Sequence, residues 1–352
     1  MARAQWSLLS SGALDEDFER LSGKAEWSGL DGRSILLTGA TGFFGLWLIE
    51  FFDWLRRNKS WDGALYVLTR DREKVLDRHP IYRQRPWIEF INGEIRSFSA
   101  PAQKIDFVVH GATDTSAEMG RRPQELLDVI YGGTRHVLDI AAQSDCKRIL
   151  LISSGAVYGP IDKPERVSEV CRTAPDVLSP ASAYGEGKRI GEALGALATQ
   201  SASLEMVVAR CFAFVGAGLP LDAHFAIGNF IRNALENKPI LLNSTGKSWR
   251  SYLYAADLVV WLMTLLLRGR SGAAYNVGSD QILDILTTAR LVRDVLSPSL
   301  SVTVAPNALT TTTYYVPSID RARTELGLDV WTSPELAVRR TAEDARRLGP
   351  FR

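Results

Sequence analysis

Short apolar runs alternate with longer amphipathic stretches through the first half of the 352-residue chain. Compact runs rich in β-branched residues predict buried strands, and the longer stretches with apolar residues at helical spacing predict helices. Such alternation predicts a parallel, doubly wound sheet with helices on both faces. The strands are predicted at Ser34–Leu37, Leu65–Leu68, Phe107–His110 and Ile149–Ile152, and the helices at Phe43–Arg56, Arg72–Arg78 and Pro123–Gln143.

Composition narrows the class of protein that this pattern can encode. The 41 basic and 40 acidic residues are interspersed and give a net charge of +1, which favours neither a nucleic-acid partner nor a membrane surface. The cysteines Cys146, Cys171 and Cys211 are too widely spaced for a metal site or a disulfide framework. No apolar stretch is long enough to span a bilayer, and no signal peptide is evident. We therefore expect a cytoplasmic protein that acts on small molecules without a metal.

The strongest local signal is a glycine-rich turn between the first predicted strand and its helix. Gly39 permits a tight turn, Gly42 lets backbone amides approach a diphosphate at the positive helix end, and Gly45 lets the helix pack near its strand. This arrangement predicts a dinucleotide site. The segment expected to line it comprises Gly39, Thr41, Gly42, Phe43, Phe44 and Gly45.

A second signal lies far downstream, where Tyr184 and Lys188 stand four residues apart in a stretch that predicts a helix. This spacing places both side chains on one helix face. Bringing a tyrosine pKa from near 10 toward 7 requires ~4 kcal/mol of differential stabilisation, which an ammonium group and an oxidised nicotinamide can supply together. Alone, the pair is more typical of the exposed surface of an amphipathic helix. With the glycine turn it predicts a proton-exchanging tyrosine and a lysine that also holds the nicotinamide ribose.

Together the two motifs resemble those of the extended short-chain dehydrogenase/reductases of the sugar-nucleotide epimerase/dehydratase group, from about Leu30 to about Glu335. The resemblance implies a Rossmann-type α/β fold with a smaller, discontinuous C-terminal substrate lobe, a nicotinamide cofactor, a nucleotide-sugar substrate and a homodimer. It also implies three parts: an N-terminal extension over residues 1–30, a dinucleotide-binding domain over 31–212 with returning pieces near 250–280, and a mainly substrate-binding lobe over 213–352.

The fourth predicted strand runs into a polar turn that resembles the third catalytic segment of this family. The resemblance places Ser153 beside the cofactor and makes Ser154 the hydroxyl that relays a proton with Tyr184. The 4,6-dehydratases of the family carry an acidic pair at the next two positions, and its UDP-glucuronate decarboxylases carry a glutamate at the second. Here these positions are Gly155 and Ala156, which cannot exchange protons.

The reaction class implied is therefore hydride transfer with one proton, as in reduction of a 4-keto sugar or epimerisation. Dehydration or decarboxylation is the alternative within the same family. A dinucleotide sensor without catalysis is the alternative from another class. The presence of Ser154, Tyr184 and Lys188 favours an enzyme over a sensor.

The choice of cofactor is expected at the tip of the second strand, where Arg70 stands. An arginine there favours the 2′-phosphate of NADP, although Asp71 follows at once and NAD stays possible. The resemblance implies further cofactor contacts at Glu94, Ile95, Gly111, Ala112 and Thr113. His110 is more typical of a hydrogen-bonded residue at a strand end than of a catalyst.

Substrate recognition is expected from the second half of the chain. The resemblance assigns the diphosphate to Asn229 and to Arg250, the latter as a bidentate partner. It also places His224 beside the sugar and lets Arg323 reach the nucleotide.

Overall fold

The computed structural model describes residues 13–113, 120–161, 164–201, 204–222, 225–310 and 312–347. The strands are β1 (Ser34–Thr38), β2 (Ala64–Thr69), β3 (Ile88–Asn92), β4 (Phe107–His110), β5 (Arg148–Ser154), β6 (Glu205–Cys211), β7 (Phe214–Val215), β8 (Ile240–Ser244), β9 (Trp249–Arg250), β10 (Leu253–Tyr254), β11 (Ala274–Val277), β12 (Leu283–Asp284), β13 (Val302–Leu309) and β14 (Tyr314–Tyr315). The helices are α1 (Ala13–Ser22), α2 (Phe43–Asn58), α3 (Arg72–Arg78), α4 (Pro123–Gln143), α5 (Ala183–Ser201), α6 (Ala226–Leu235), α7 (Ala255–Arg268), α8 (Ile285–Leu296), α9 (Asp320–Leu326) and α10 (Pro334–Arg347).

Seven strands form one parallel sheet in the order β3-β2-β1-β4-β5-β6-β11. Side chains alternate across it, so that Ile35 and Leu37 join the core on one face while Leu36 joins the core on the other. Helices α2 and α7 cover the first face and helix α4 the second. The predicted Rossmann-type α/β fold is confirmed. Strands β1, β4 and β5 end at the carboxyl edge of the sheet. The first of the predicted cofactor and catalytic residues follow these strand ends.

Residues ahead of β1 extend the core of this sheet. Phe18 of α1 lies against Trp47 and Phe51 of α2, with ring centroids 5.9 and 5.5 Å apart. The hydroxyl of Tyr254 donates to the buried carboxylate of Asp17 at 2.6 Å. Helix α1 is thus fixed by both packing and a buried hydrogen bond.

The second half returns to the sheet and also builds small sheets of its own. Strand β11 lies at the sheet edge beside β6, and α7 packs on the face. Strand β9 pairs with β12 and with β14, which sets Tyr315 opposite Arg250. Strands β8 and β13 form a separate parallel pair. Within the described residues, no helix combines the length and hydropathy needed to cross a bilayer.

Candidate active site

The glycine turn has the geometry that its three glycines predict. Gly39 adopts a φ of +73°, and a Cβ there would lie 2.6 Å from the carbonyl group of Gly111. At Gly45 a Cβ would lie 2.1 Å from the Cα of Ala40. Gly42 is the N-cap of α2, and no side chain caps the helix there. The first amides of α2 therefore have no side-chain acceptor and face the site where a diphosphate is expected.

A buried histidine fastens the end of β4 to its neighbours. The Nδ1 atom of His110 lies 2.7 Å from Thr38 Oγ1, and its Nε2 atom lies 3.1 Å from Thr134 Oγ1. Burial, with a smaller contribution from Lys188, lowers the pKa of His110 to about 3. A neutral ring with both nitrogens bonded fits the predicted structural role. Its contacts hold together β1, β4 and α4.

Lys188 is buried at the centre of the site. Its ammonium donates to the carbonyl of Ile152 at 2.8 Å and to Thr113 Oγ1 at 2.9 Å. Burial is the main cause that lowers its pKa to about 8. The ammonium stands 5.9 Å from the ring centroid of Tyr184. The predicted pair is therefore brought together, and Thr113 joins it through a direct hydrogen bond.

The environment of the two hydroxyls that are predicted to exchange protons, those of Ser154 and Tyr184, differs from the expected one. Ser154 is 5% exposed and accepts from the amide of Ala156 at 3.1 Å. In the protein alone, burial raises the pKa of Tyr184, and the Ser154 hydroxyl only partly opposes this. The expected lowering of this pKa is thus not a property of the protein alone. We expect the positive charge of an oxidised cofactor to contribute to it.

A side chain at the position after Ser154 would displace two aromatic side chains. A Cβ on Gly155 would lie 2.8 Å from the ring of Phe212 and 2.9 Å from the hydroxyl of Tyr315. The Tyr315 hydroxyl itself lies 3.4 Å from Ser154 Oγ. Two aromatic residues therefore occupy the space where an acidic side chain would have to extend.

Ser153, which is predicted to contact the cofactor, uses its hydroxyl in a hydrogen bond to a carboxylate. It donates to Glu192 Oε1 at 2.5 Å, and Glu192 in turn forms a two-bond ion pair with Arg210 at 3.1 and 2.7 Å. Arg210 continues to the hydroxyl of Tyr158 at 2.9 Å, which donates to Asn276 at 2.8 Å. This chain of hydrogen bonds ties the end of β5 to α5, β6 and β11.

The remaining predicted cofactor residues lie at the tips of β2 and β3. Arg70 is exposed, and the carboxylate of Asp71 caps α3 by accepting from the Lys74 amide at 3.0 Å. Glu94 accepts from both the amide and the side chain of Arg96, and Ile95 is buried. The roles of these residues toward a cofactor stay predictions.

Arg250 and Asn229 lie in the lobe expected to hold substrate. The Arg250 guanidinium donates to the carbonyl of Trp249 at 2.7 Å and to Thr313 Oγ1 at 2.9 Å. Burial lowers its pKa, and it lies 5.9 Å from the ring centroid of Tyr315. Asn229 is half-buried on α6. Tyr315 thus lies between Arg250 and Ser154, one of the predicted catalytic residues.

Of the other two predicted substrate residues, Arg323 alone lies in the part of the chain that the structure describes. Arg323 pairs with Asp329 at 2.7 Å and with Asp280 at 3.2 Å, so its guanidinium is held by two carboxylates. Its predicted reach to the nucleotide gains no support from these contacts. His224 lies outside the described residues.

Several residues of the site carry no prediction from the sequence. Glu192 lies four residues after Lys188, on the helix face that also carries Tyr184. This spacing alone is enough to predict that Glu192 lies near the site. No sequence pattern indicates Phe212 or Tyr315 as part of the site, and Tyr315 lies 161 residues from Ser154 along the chain. The pairing of β14 with β9, the bridge between Tyr314 and Ile161 and the ring contact with Phe212 hold it there.

The residues present fit a dinucleotide. The start of α2 at the uncapped Gly42, the close approach of Gly39 to Gly111 and the hydrogen bond from the buried Lys188 to Thr113 are the features that would hold it. Fold and site together define a Rossmann-type dinucleotide-binding protein. The chain belongs to the NAD dependent epimerase/dehydratase family, whose profile matches residues 35–278.

Known proteins support this assignment. UDP-glucuronic acid decarboxylase 4 of Arabidopsis thaliana is 26% identical over 310 residues, which cover 87% of this chain and 66% of that protein. The fold is similar to that of UDP-N-acetylglucosamine 4-epimerase from Methanobrevibacter ruminantium, with a TM-score of 0.77, 17% identity, and coverage of 90% and 99% of the two chains. It is also similar to dTDP-glucose 4,6-dehydratase from Bacillus anthracis in complex with NAD, with a TM-score of 0.73, 18% identity, and coverage of 90% and 97%.

Proposed function

We propose that this protein is a nicotinamide-dependent enzyme that epimerises a nucleotide-linked sugar or reduces its 4-keto form. The observation that carries the proposal is the convergence of Ser154, Tyr184 and Lys188 beside the glycine turn. A nucleotide sugar as substrate is supported by the names of the relatives and structural neighbours. Because the aligned part covers 66% of the Arabidopsis decarboxylase, the activity does not transfer from that protein directly.

The catalytic residues have distinct tasks in this mechanism. When bound, the nicotinamide accepts hydride from the sugar carbon or returns it. Tyr184 takes the hydroxyl proton as the carbonyl forms and gives it back on reduction, with Ser154 as the relay to the sugar oxygen. Lys188 supplies positive charge near Tyr184 and would hold the ribose hydroxyls. The amides at the start of α2 would bind the diphosphate of the cofactor.

Elimination and decarboxylation are the second candidate, because several of the curated relatives are UDP-glucuronic acid decarboxylases. Both reactions need a further acid or base next to Ser154. Here Gly155 and Ala156 supply none, and the space beside Gly155 is filled by Phe212 and Tyr315. This packing supports hydride and proton transfer at one carbinol carbon as the complete reaction.

For the cofactor, we propose NADP as the preferred form, with NAD as the alternative. The family profile is that of NAD-dependent proteins, and the Bacillus anthracis neighbour is in complex with NAD. Support for NADP comes from the exposed Arg70 at the tip of β2 and from Asp71, whose carboxylate is engaged at the start of α3.

We further propose that the protein works as a cytoplasmic homodimer. Helices α4 and α5 pack together, and their outer surfaces expose the apolar side chains of Tyr131, Ile190 and Leu197 at 43%, 39% and 62%. Covering such side chains against a second copy would stabilise a dimer. Sedimentation of the wild type and of Leu197→Glu would test this.

The substrate class can be tested by a screen of UDP-, dTDP-, GDP- and CDP-sugars, including 4-keto forms. Each compound is added with NAD(H) or NADP(H), and thermal stabilisation and the absorbance of the reduced nicotinamide are followed. UDP and dTDP without a sugar are the controls. We expect conversion or a spectral change with at least one nucleotide sugar. Stabilisation by cofactor with no chemistry on any sugar would support the non-catalytic sensor instead.

A further inference from the structure

The hydroxyl of Thr113 is one of two oxygens that hold the buried ammonium of Lys188. The ammonium donates to Thr113 Oγ1 at 2.9 Å and to the carbonyl oxygen of Ile152 at 2.8 Å. Ile152 lies on β5, Thr113 follows the end of the neighbouring strand β4, and Lys188 lies on α5. The lysine therefore links the ends of two adjacent strands to the helix that carries Tyr184.

The main chain just before Thr113 is fixed to β1. Thr38 Oγ1 accepts from the amide of Gly111 at 3.2 Å and from the amide of Ala112 at 3.3 Å. The carbonyl of Thr38 also accepts from the Gly111 amide, at 3.1 Å. Gly111 in turn packs on the glycine turn, where a Cβ on Gly39 would lie 2.6 Å from its carbonyl. The position of Thr113 is thus set by β1 and by the glycine turn.

Both oxygens that accept from the Lys188 ammonium are neutral. The carboxylate of Glu192, one turn further along α5, is engaged by the Arg210 guanidinium at 2.7 and 3.1 Å. Burial lowers the pKa of His110 on β4 and raises the pKa values of Tyr184 on α5 and Cys211 on β6, so these three neighbours are neutral at pH 7. The ammonium therefore depends on its two hydrogen bonds, and loss of either acceptor should be felt by the charged form.

We propose that Thr113 is a positioning residue that acts on the cofactor through Lys188, because its hydroxyl holds the ammonium at the strand ends. An ammonium has three N–H donors and no acceptor. Two of these donors are engaged within the described part of the chain, which leaves one for the nicotinamide ribose. The Thr113 hydroxyl thus serves the lysine, where the sequence predicts a contact with the cofactor itself. This role rests on the proposed function, in which Lys188 holds the ribose.

The first test uses the cofactor-free protein and Thr113→Val, which keeps the shape of the side chain and removes the hydroxyl. Without this acceptor the pKa of Lys188 should fall further below 10.5, since the charged form loses a hydrogen bond. The unfolding free energy is measured against pH in Thr113→Val and in the double variant with Lys188→Met, and their difference isolates the lysine. We expect this difference to begin its rise with pH roughly 1 pH unit lower than the difference between wild type and Lys188→Met.

Two further variants separate the hydrogen bond from a general effect on structure. Thr113→Ser keeps a hydroxyl and should restore the wild-type pH dependence. Thr324→Val is the matched control, because it removes an exposed hydroxyl that donates to the carbonyl of Asp320, and it should leave the pH dependence in place. A pH dependence that is the same in Thr113→Val as in the wild type would overturn the inference.

Cofactor affinity provides the second readout. We expect Thr113→Val to weaken binding of the preferred cofactor, NADP(H) or NAD(H), by roughly three- to tenfold, and Thr113→Ser to stay within about twofold of the wild type. In a Lys188→Met background, Thr113→Val should have no further effect on the dissociation constant, because the hydroxyl acts through the lysine. Equal losses in both backgrounds would show that Thr113 contacts the cofactor directly and would overturn the inference. Cofactor binding without turnover of any sugar would count against the proposed function alone, since neither readout needs a substrate.

Discussion

At the glycine turn, backbone amides held by local geometry would contact the cofactor. On the opposite side of the site, side chains would contact the substrate. Gly39 and Gly45 leave no room for a Cβ, because backbone atoms of Gly111 and Ala40 lie within 2.6 and 2.1 Å of its position. Arg250 and Tyr315 reach the site through the pairing of two-residue strands. The cofactor side is thus constrained by packing of the main chain. The substrate side depends on pairing between strands that are far apart along the chain, because this pairing sets the positions of its side chains.

This difference has a consequence for substitutions. A change at Gly39 or Gly45 should act first on stability, since the backbone itself must move. A change on the substrate side should act first on binding or rate, since side chains there are exchangeable within the same backbone. The residues of α5 stand between the two sides and should affect the chemistry most.

The largest effect is expected at Tyr184, where the two sides meet. Tyr184→Phe removes the group that exchanges the proton, so turnover should fall by about 10²–10⁴. Cofactor affinity and unfolding free energy should change little, because the ring is retained. Steady-state kinetics measure the turnover and cofactor titration measures the affinity, with Tyr314→Phe as the control. Unchanged turnover in Tyr184→Phe would remove the basis of the mechanism.

A smaller loss, in stability, is expected on the cofactor side. Gly45→Ala places a methyl group against backbone atoms of Ala40 and should lower the unfolding free energy by about 3 kcal/mol. Gly23→Ala is the control, since no atom lies within 4 Å of its Cβ position, and it should stay within about 0.5 kcal/mol. Urea denaturation distinguishes them. Equal stability of the two variants would show that α2 is not packed this tightly on β1.

Lys188 links the site to the pH dependence of stability. Its pKa is lowered to about 8 in the folded protein from 10.5, so between these values the unfolded chain binds one more proton. The unfolding free energy of the wild type should therefore rise from pH 8 to about 10.5 relative to Lys188→Met, by roughly 2–3 kcal/mol. Parallel denaturation curves across this range, with the exposed Lys24→Met following the wild type, provide the measurement. A constant difference would contradict burial of the ammonium.

The smallest effect is expected at Arg70, the exposed end of the cofactor side. Arg70→Asp replaces a partner for the 2′-phosphate by an acid that can accept from a ribose hydroxyl, so preference should shift from NADPH toward NADH by about tenfold. Arg72→Asp removes the same charge two residues away and should not change the ratio. Dissociation constants of the wild type and the two variants for NADPH and NADH measure this preference. A wild type that already prefers NADH would refute the prediction for this strand tip.

The two sides also differ in how far the sequence predicts them. The glycine turn and the spacing of Tyr184 and Lys188 are local patterns, and the apolar runs around them fix the parallel sheet. The engagement of Arg323 by two aspartates and the arrival of Tyr315 at Ser154 depend on contacts between distant segments. The raised pKa of Tyr184 depends on its burial by the folded chain. No spacing along the chain encodes such packing.

The central claim is that the site transfers hydride and one proton without elimination. The most direct test incubates the wild type and its cofactor with UDP-glucose, dTDP-glucose and UDP-glucuronic acid in deuterated water and follows the products by NMR. The absence of a proton-exchanging side chain at Gly155 and Ala156 predicts that any product from these sugars is the C4 epimer, with no deuterium at C5. Formation of a 4-keto-6-deoxy sugar with deuterium at C5, or of a pentose by loss of carbon dioxide, would contradict it.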